Sequence, residues 1–299
     1  MSAEFNFDAL VPAEMAAKAE AIGIKKAKLP FSNTLLLAIL AGAFIGVGAI
    51  FATTVSAGSV AIKDPSGATS FVTGLPYGVI SLIKGLAFSL GLILVIVGGA
   101  ELFTGNNLIV MAFMDGKVNL KNLLRNWGIV YLGNFVGSVL TALIMFISKQ
   151  YLFGNGSIGL NALNIGEAKS SLDFVQAIAL GIMCNALVCM AVWMCYSARS
   201  VTDKILAIIP PIAAFVAAGF EHSIANMYFI PLALLIKNWG ASSFFETVGK
   251  TAENFPNLTM GNFLIGNLLP VTIGNIIGGA LMVGIVYWFG FLRGSKTTK

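Results

Sequence analysis

Long apolar stretches separated by short polar ones dominate the chain. They lie near residues 33–57, 76–113, 122–148, 172–196, 205–236 and 263–292. A helix that crosses a bilayer needs about 20 apolar residues, so the pattern predicts six crossings. The second and fifth runs are longer than one straight crossing requires. Both also contain polar residues, which predicts tilted, extended or broken helices. Ahead of the first run, residues 3–28 place Ala and Met on one helical face. That spacing predicts an amphipathic helix along the membrane surface. The expected organisation is an N-terminal amphipathic segment over residues 1–32, a six-helix unit over 33–292 and a polar tail over 293–299.

Composition changes the picture from suggestive to restrictive. Of the 299 residues, 57% are hydrophobic and only 10% are charged, whereas soluble domains run near ~25% charged. Too few charges exist to cover a water-exposed surface, so the chain is an integral membrane protein. The net charge of +5 does not mark a nucleic-acid binder, because the lysines and arginines sit mostly between apolar runs. With the N-terminus in the cytoplasm, twelve of the 18 basic residues fall on the inner side, including Arg125, Arg199 and Arg293. Excess positive charge inside is the usual orientation signal, and six crossings return the C-terminus to the same side. Residues 1–30 carry Glu4, Asp8, Glu14 and Glu20 and lack the basic start and apolar core of a cleavable secretion signal.

A second order lies beneath the spans. Glu101-Leu-Phe-Thr-Gly-Asn106 in the second run matches Glu221-His-Ser-Ile-Ala-Asn226 in the fifth. Gly133-Asn134-Phe-Val-Gly137 in the third matches Gly274-Asn275-Ile-Ile-Gly278 in the sixth. Residues 33–150 and 172–292 therefore read as two three-span units. An odd number of spans inserts the two copies in opposite orientations, giving an inverted repeat whose broken helices meet near the midplane. Backbone freed at such breaks is tolerated only against protein or a polar cavity.

The chemistry-bearing residues cluster there. His222 is the only histidine, and an imidazole inside the membrane is suited to proton exchange in a path. Glu101 and Glu221 are expected to support the breaks by accepting hydrogen bonds from freed amides, with a proton path as the competing role. Thr104 and Ser223 supply hydroxyls at the two breaks. Asn185 and Asn275 are candidates to line the path, and Asn134 reads as structural. Lys169 could draw anions towards the pore. Cys184, Cys189 and Cys195 read as small buried apolar residues, and Trp127, Trp193, Trp239 and Trp288 fall near predicted span ends. No nucleotide-binding loop, no metal-ligand spacing and no hydrolytic or redox constellation is present, so neither an enzyme nor a cofactor is expected.

Several stretches resemble the formate/nitrite transporter family: Gly219-Phe-Glu-His-Ser-Ile-Ala-Asn-Met227, Lys28-Leu-Pro-Phe-Ser32, Leu102-Phe-Thr104, and Asn185 with Ser197-Ala-Arg-Ser200. The resemblance covers roughly residues 10–292. It implies an all-α membrane protein with six transmembrane helices, broken helices 2 and 5 and an aquaporin-like protomer, assembled as a homopentamer in the bacterial inner membrane. It implies passive or proton-linked passage of formate, with nitrite, acetate and lactate as related permeants. A nitrite channel of the same family and a proton-coupled carrier of larger monocarboxylates stand as alternatives. By position it assigns Phe88 and Leu92 to an outer constriction, narrowed further by Phe215, and Leu102 to an inner one. Thr104 becomes the threonine of the loop in span 2, and His222 the central histidine, with Asn185 and Asn275 around it. Lys169 becomes the basic residue of the outer vestibule. Gly105-Asn106-Asn107 departs from the Ser or Thr that relatives often carry after the threonine.

Overall fold

Five of the apolar runs form helices long and apolar enough to cross a membrane. The computed structural model describes residues 8–293 apart from 59, 64–68 and 74. In it these helices are α2 (Phe31–Val55), α3 (Tyr77–Gly98), α5 (Leu120–Ile147), α7 (Phe174–Ser197) and α11 (Asn262–Phe291). Between α3 and α5 lies a shorter apolar helix, α4 (Phe103–Met114). The fifth run divides into α8 (Val201–Ala217) and α9 (Ser223–Trp239). Each has 17 residues, about 25 Å at 1.5 Å per residue, which falls short of a ~30 Å hydrocarbon core. The remaining helices are α1 (Pro12–Ala27), α6 (Ser157–Ser170) and α10 (Ser242–Val248). An antiparallel hairpin of β1 (Val60–Lys63) and β2 (Thr69–Thr73), with Val60 opposite Thr73, joins α2 to α3. The hydropathy pattern gave no sign of it, because two strands of four and five residues are too short for a period.

Outward faces of the long helices carry Leu36, Leu132, Ile144, Val175, Ile265 and Val286, all exposed. Lipid accepts such a surface and water would not. The inner faces pack through small residues. Gly137 of α5 lies against the Ile39 carbonyl of α2, and Gly278 of α11 lies against the Ile182 carbonyl of α7. A Cβ at either position would overlap the opposing carbonyl. The two Gly-Asn-x-x-Gly motifs therefore set the closest helix approaches, the role small residues play in membrane packing.

Packing shows what local pattern leaves open at the N-terminal helix and at the tryptophans. The apolar face of α1, with Met15, Ala16, Ala19 and Ala27, packs against Leu108, Met111 and Ala112 of α4 and Trp193 of α7. Protein covers this stripe; the first seven residues lie outside the described ones, as does most of the 293–299 tail. Among the tryptophans, Trp239 is exposed, whereas Trp193 is buried against Tyr287 and Trp127 donates its indole N–H to the Asn106 carbonyl at 3.0 Å. Sequence position near a span end does not distinguish an interface anchor from a packed ring.

Candidate functional site at two helix breaks

The candidate site begins with two interruptions of regular helix. After α3 the chain turns at Gly99 (φ 73°), and after α8 it turns at Gly219 (φ 74°). Left-handed backbone is open to glycine without the Cβ penalty. Each turn leads into a short extended stretch, and then Leu102 and His222 begin α4 and α9 as N-cap residues with extended backbone. The same offset in residue number relates Gly99 to Gly219, Glu101 to Glu221, Leu102 to His222 and Asn106 to Asn226.

Backbone groups freed at the breaks find side-chain partners in the same way twice. Asn134 of α5 accepts from Phe103 N at 2.9 Å and donates to the Ala38 and Glu101 carbonyls at 2.7 and 2.9 Å. Asn275 of α11 accepts from Ser223 N at 2.9 Å and donates to the Gly181 and Glu221 carbonyls at 2.8 and 2.9 Å. Both amides are fully buried. In contact pattern Asn134 and Asn275 are mates, although the sequence had suggested different roles for them.

The glutamates are equally matched. Glu101 receives the Lys26 ammonium at 2.9 Å and the Asn106 amide at 2.7 Å, and Asn106 also donates to Asn126 at 2.9 Å. Glu221 receives the Lys169 ammonium at 2.7 Å and the Asn226 amide at 2.7 Å, and Asn226 also donates to Asn267 at 2.7 Å. Asn126 and Asn267 in turn donate to the carbonyls of Lys26 and Lys169, at 3.1 and 2.8 Å. Burying a carboxylate demands a counter-charge and hydrogen bonds, and each glutamate has both. Sequence reasoning missed Lys26, Asn126 and Asn267. Asn106 and Asn226 were visible as the second halves of the Glu-x4-Asn match but were given no role.

At the centre, Thr104 Oγ1 lies 3.0 Å from His222 Nε2. His222 Nδ1 accepts the Ala225 N–H at 3.1 Å. A ring nitrogen that accepts an amide proton carries a lone pair, so the uncharged ring holds its proton on Nε2 and donates it to Thr104. Asn185 ties this centre together, donating to Asn107 Oδ1 at 2.8 Å, the Asn275 carbonyl at 2.7 Å and the Thr104 carbonyl at 3.3 Å. Cys189 also reaches the Thr104 carbonyl, at 3.3 Å. The Ser223 hydroxyl is buried without a hydrogen-bond partner.

Cavities approach the centre from both ends. One is lined by Lys84, Phe88, Lys169, Phe215, Glu221 and His222. The other is lined by Lys26, Leu92, Glu101, Leu102, Gly105 and Asn106. Rings narrow the first, with Phe88 edge-on to Phe215 at 5.7 Å and Phe215 stacked on His222 at 6.0 Å between centroids. Leu92, one helical turn past Phe88, lines the second cavity beside Leu102 and not the first with Phe88, the place the resemblance had given it.

Helix α1 closes over the second cavity, contributing Lys18, Ile22, Lys25 and Lys26 to its wall. It is held by Lys117, whose ammonium binds Glu20 at 2.6 Å and Asp115 at 3.3 Å. Burial pushes the Glu20 carboxyl above its ordinary value against the pull of Lys117. The hydrogen bond to Glu20 pushes the Lys117 ammonium up.

Comparison with known proteins places this arrangement in context. Residues 13–289 match the family described as Formate/nitrite transporter. The chain is 46% identical to the formate channel FocA of Escherichia coli strain K12 over 294 residues, 98% of each chain. It is similar to a solved pentameric formate channel with formate bound, at TM-score 0.80 and 46% identity, covering 88% of this chain and 98% of that one. A solved FNT family ion channel matches at TM-score 0.73 and 28% identity, covering 93% of this chain and 98% of the other.

Proposed function

The chain belongs to the formate/nitrite transporter family, and from that premise we propose that it carries formate across the bacterial inner membrane through one pore in each protomer of a homopentamer. It is a transporter, not an enzyme. Six crossings are completed by counting α8 and α9 as two halves of one broken span, with α3 and α4 as the other broken span. Residues 33–150 and 172–292 are then inverted copies that form an aquaporin-like protomer. Both termini lie in the cytoplasm, which makes the cavity under α1 the inner mouth and the cavity at Lys169 the outer one. The matched contacts of Asn134 with Asn275 and of Glu101 with Glu221 support the repeat. The excess of lysine and arginine on the α1 side supports the orientation.

Formate is the anion of an acid with a pKa well below 7, so it reaches either mouth charged. Phe88 and Phe215 on one side of the centre, and Leu92 and Leu102 on the other, offer no polar group to replace its hydration. A charge pays heavily for such passage and a neutral acid does not. The reading therefore turns on a proton at the centre, and the Thr104–His222 contact carries it. Transfer of the Nε2 proton requires Nδ1 to hold a proton first, because a ring stripped of both is too basic to form near neutrality. A protonated Nδ1 cannot accept from Ala225 N–H. Charging His222 thus breaks its cap on α9 and leaves an amide at a helix N-terminus facing an incoming anion, where amide and dipole both favour negative charge. The anion takes the Nε2 proton, with Thr104 orienting it, and leaves as formic acid. The ring is left neutral with its proton on Nδ1, and it returns to its cap once Nε2 takes a proton from water and Nδ1 gives its own back to water.

The decisive experiment is formate uptake into proteoliposomes over a series of external pH values, comparing the wild type with His222→Phe. The ring is retained while proton exchange and the cap are lost, so uptake and its pH dependence are expected to disappear. A pentamer that elutes normally and retains both the wild-type rate and its pH dependence would overturn the assignment of His222.

A further inference from the structure

Lys169 lines the outer cavity, yet its ammonium is bound to Glu221 at 2.7 Å and leans over the Phe229 ring at 5.5 Å from the centroid. Seen from the mouth, this pair carries little net charge. Lys84 lines the same cavity. It lies one helical turn before Phe88 and two before Leu92 on α3, and the i, i+4, i+8 spacing sets all three on one face. Its side chain is half-buried and makes no hydrogen bond or ion pair with any described residue. Among the described residues, the charged or titratable groups around the cavity are Lys84, Lys169, Glu221 and His222. With Lys169 and Glu221 paired and His222 uncharged, Lys84 supplies the uncompensated charge of this mouth among the described residues.

From this we infer that Lys84 is the residue that receives the monocarboxylate anion at the outer mouth, while Lys169 holds the second break in shape. The inference rests on the formate reading above. Desolvating an ammonium is costly without a partner, and a site that keeps one half-buried at the head of an apolar passage favours anions at that point. Low-dielectric walls of Phe88, Phe215 and Phe229 focus its field. Lys84 then raises the local concentration of anion just before the constriction. Its effect appears in entry at low substrate and not in the central proton step.

The test is initial formate uptake from the outer side in wild-type, Lys84→Gln and Lys84→Arg proteins. It is run below half-saturation in low-salt buffer and again near 0.5 M salt, where the screening length falls to a few ångströms. Lys84→Gln is expected to lose roughly 3- to 10-fold in uptake at low salt. Lys84→Arg is expected to keep the wild-type rate, and high salt to erase most of the difference. The pH profile of uptake at saturating formate should be the same in all three. Equal uptake by Lys84→Gln and wild type at low salt would overturn the inference and leave the formate reading standing. So would a loss that is the same at high salt, since it would mark a structural role. A wild-type protein that moves no formate would instead overturn the proposed function, and this inference with it.

Discussion

At the first break a glycine turns the chain, a glutamate takes a lysine, an asparagine caps the next helix, and the residue that opens that helix is Leu102. At the second break every one of these parts recurs, but the residue that opens the helix is His222. The supports are duplicated and the chemistry is not. A break is expensive to build, because it frees amides and carbonyls and needs a buried carboxylate to be neutralised. Once built, it presents one buried N-cap position at the start of the next helix. In the function proposed above, leucine there serves as a barrier and histidine as a proton donor. On that proposal, the asymmetry of function rests on one position in an otherwise matched pair, helped by Thr104, whose counterpart by offset is Ile224.

The strongest way to break the comparison is to remove a counter-charge. Lys169→Met leaves Glu221 buried and unpaired, and Lys26→Met does the same to Glu101. Each should cost about 3–5 kcal/mol if the glutamate stays charged. Lys26 should sit at the lower end, because its side chain is 26% exposed against 17% for Lys169. Thermal unfolding in detergent reads the loss, and the double variant Lys169→Met, Glu221→Gln should recover most of it. A single variant with wild-type stability would mean that the glutamate is neutral.

A smaller effect is expected from the amide caps. Asn134→Leu and Asn275→Leu each strand one amide N–H and one carbonyl of a break, at about 1–3 kcal/mol per unsatisfied group. Equal losses of stability would sharpen the equivalence of the two supports. Formate uptake should separate them, because Asn275 holds the turn that carries His222, whereas Asn134 holds the one that carries Leu102. Equal uptake by both variants would mean that the two breaks contribute alike to transport.

Smallest in stability, and most specific, is Thr104→Val. The substitution keeps the shape and removes the hydroxyl that faces His222 Nε2, with an expected stability change of about 1 kcal/mol. Uptake should fall and its pH dependence should shift, while Thr104→Ser keeps both. Unchanged uptake by the valine variant would separate Thr104 from the proton step.

Much of this was legible because it is local or periodic. The apolar runs, the lone His222, the two Glu-x4-Asn pairs and the two Gly-Asn-x-x-Gly motifs can each be read from neighbouring residues. What escaped was long-range. Lys26 lies 75 residues from Glu101, and Lys169 lies 52 from Glu221. Nothing near either lysine marks it as a counter-ion, and Lys169 reads equally well as a solvated surface residue. Pattern also could not say what covers the stripe of α1, since lipid and a neighbouring helix both ask for the same Ala and Met face. The hairpin at Val60–Lys63 and Thr69–Thr73 lacked the length to announce itself.

The positions of those two lysines bear on how the chain is made. Lys26 precedes Glu101, and Lys169 precedes Glu221. Synthesis runs from the N-terminus, so each ammonium has left the ribosome before its carboxylate follows. Neither glutamate has to wait in the bilayer for a counter-charge still to be translated. The asparagines that complete each network, Asn126 and Asn267, arrive last. They close a site whose charges are already balanced, in the same order at both breaks.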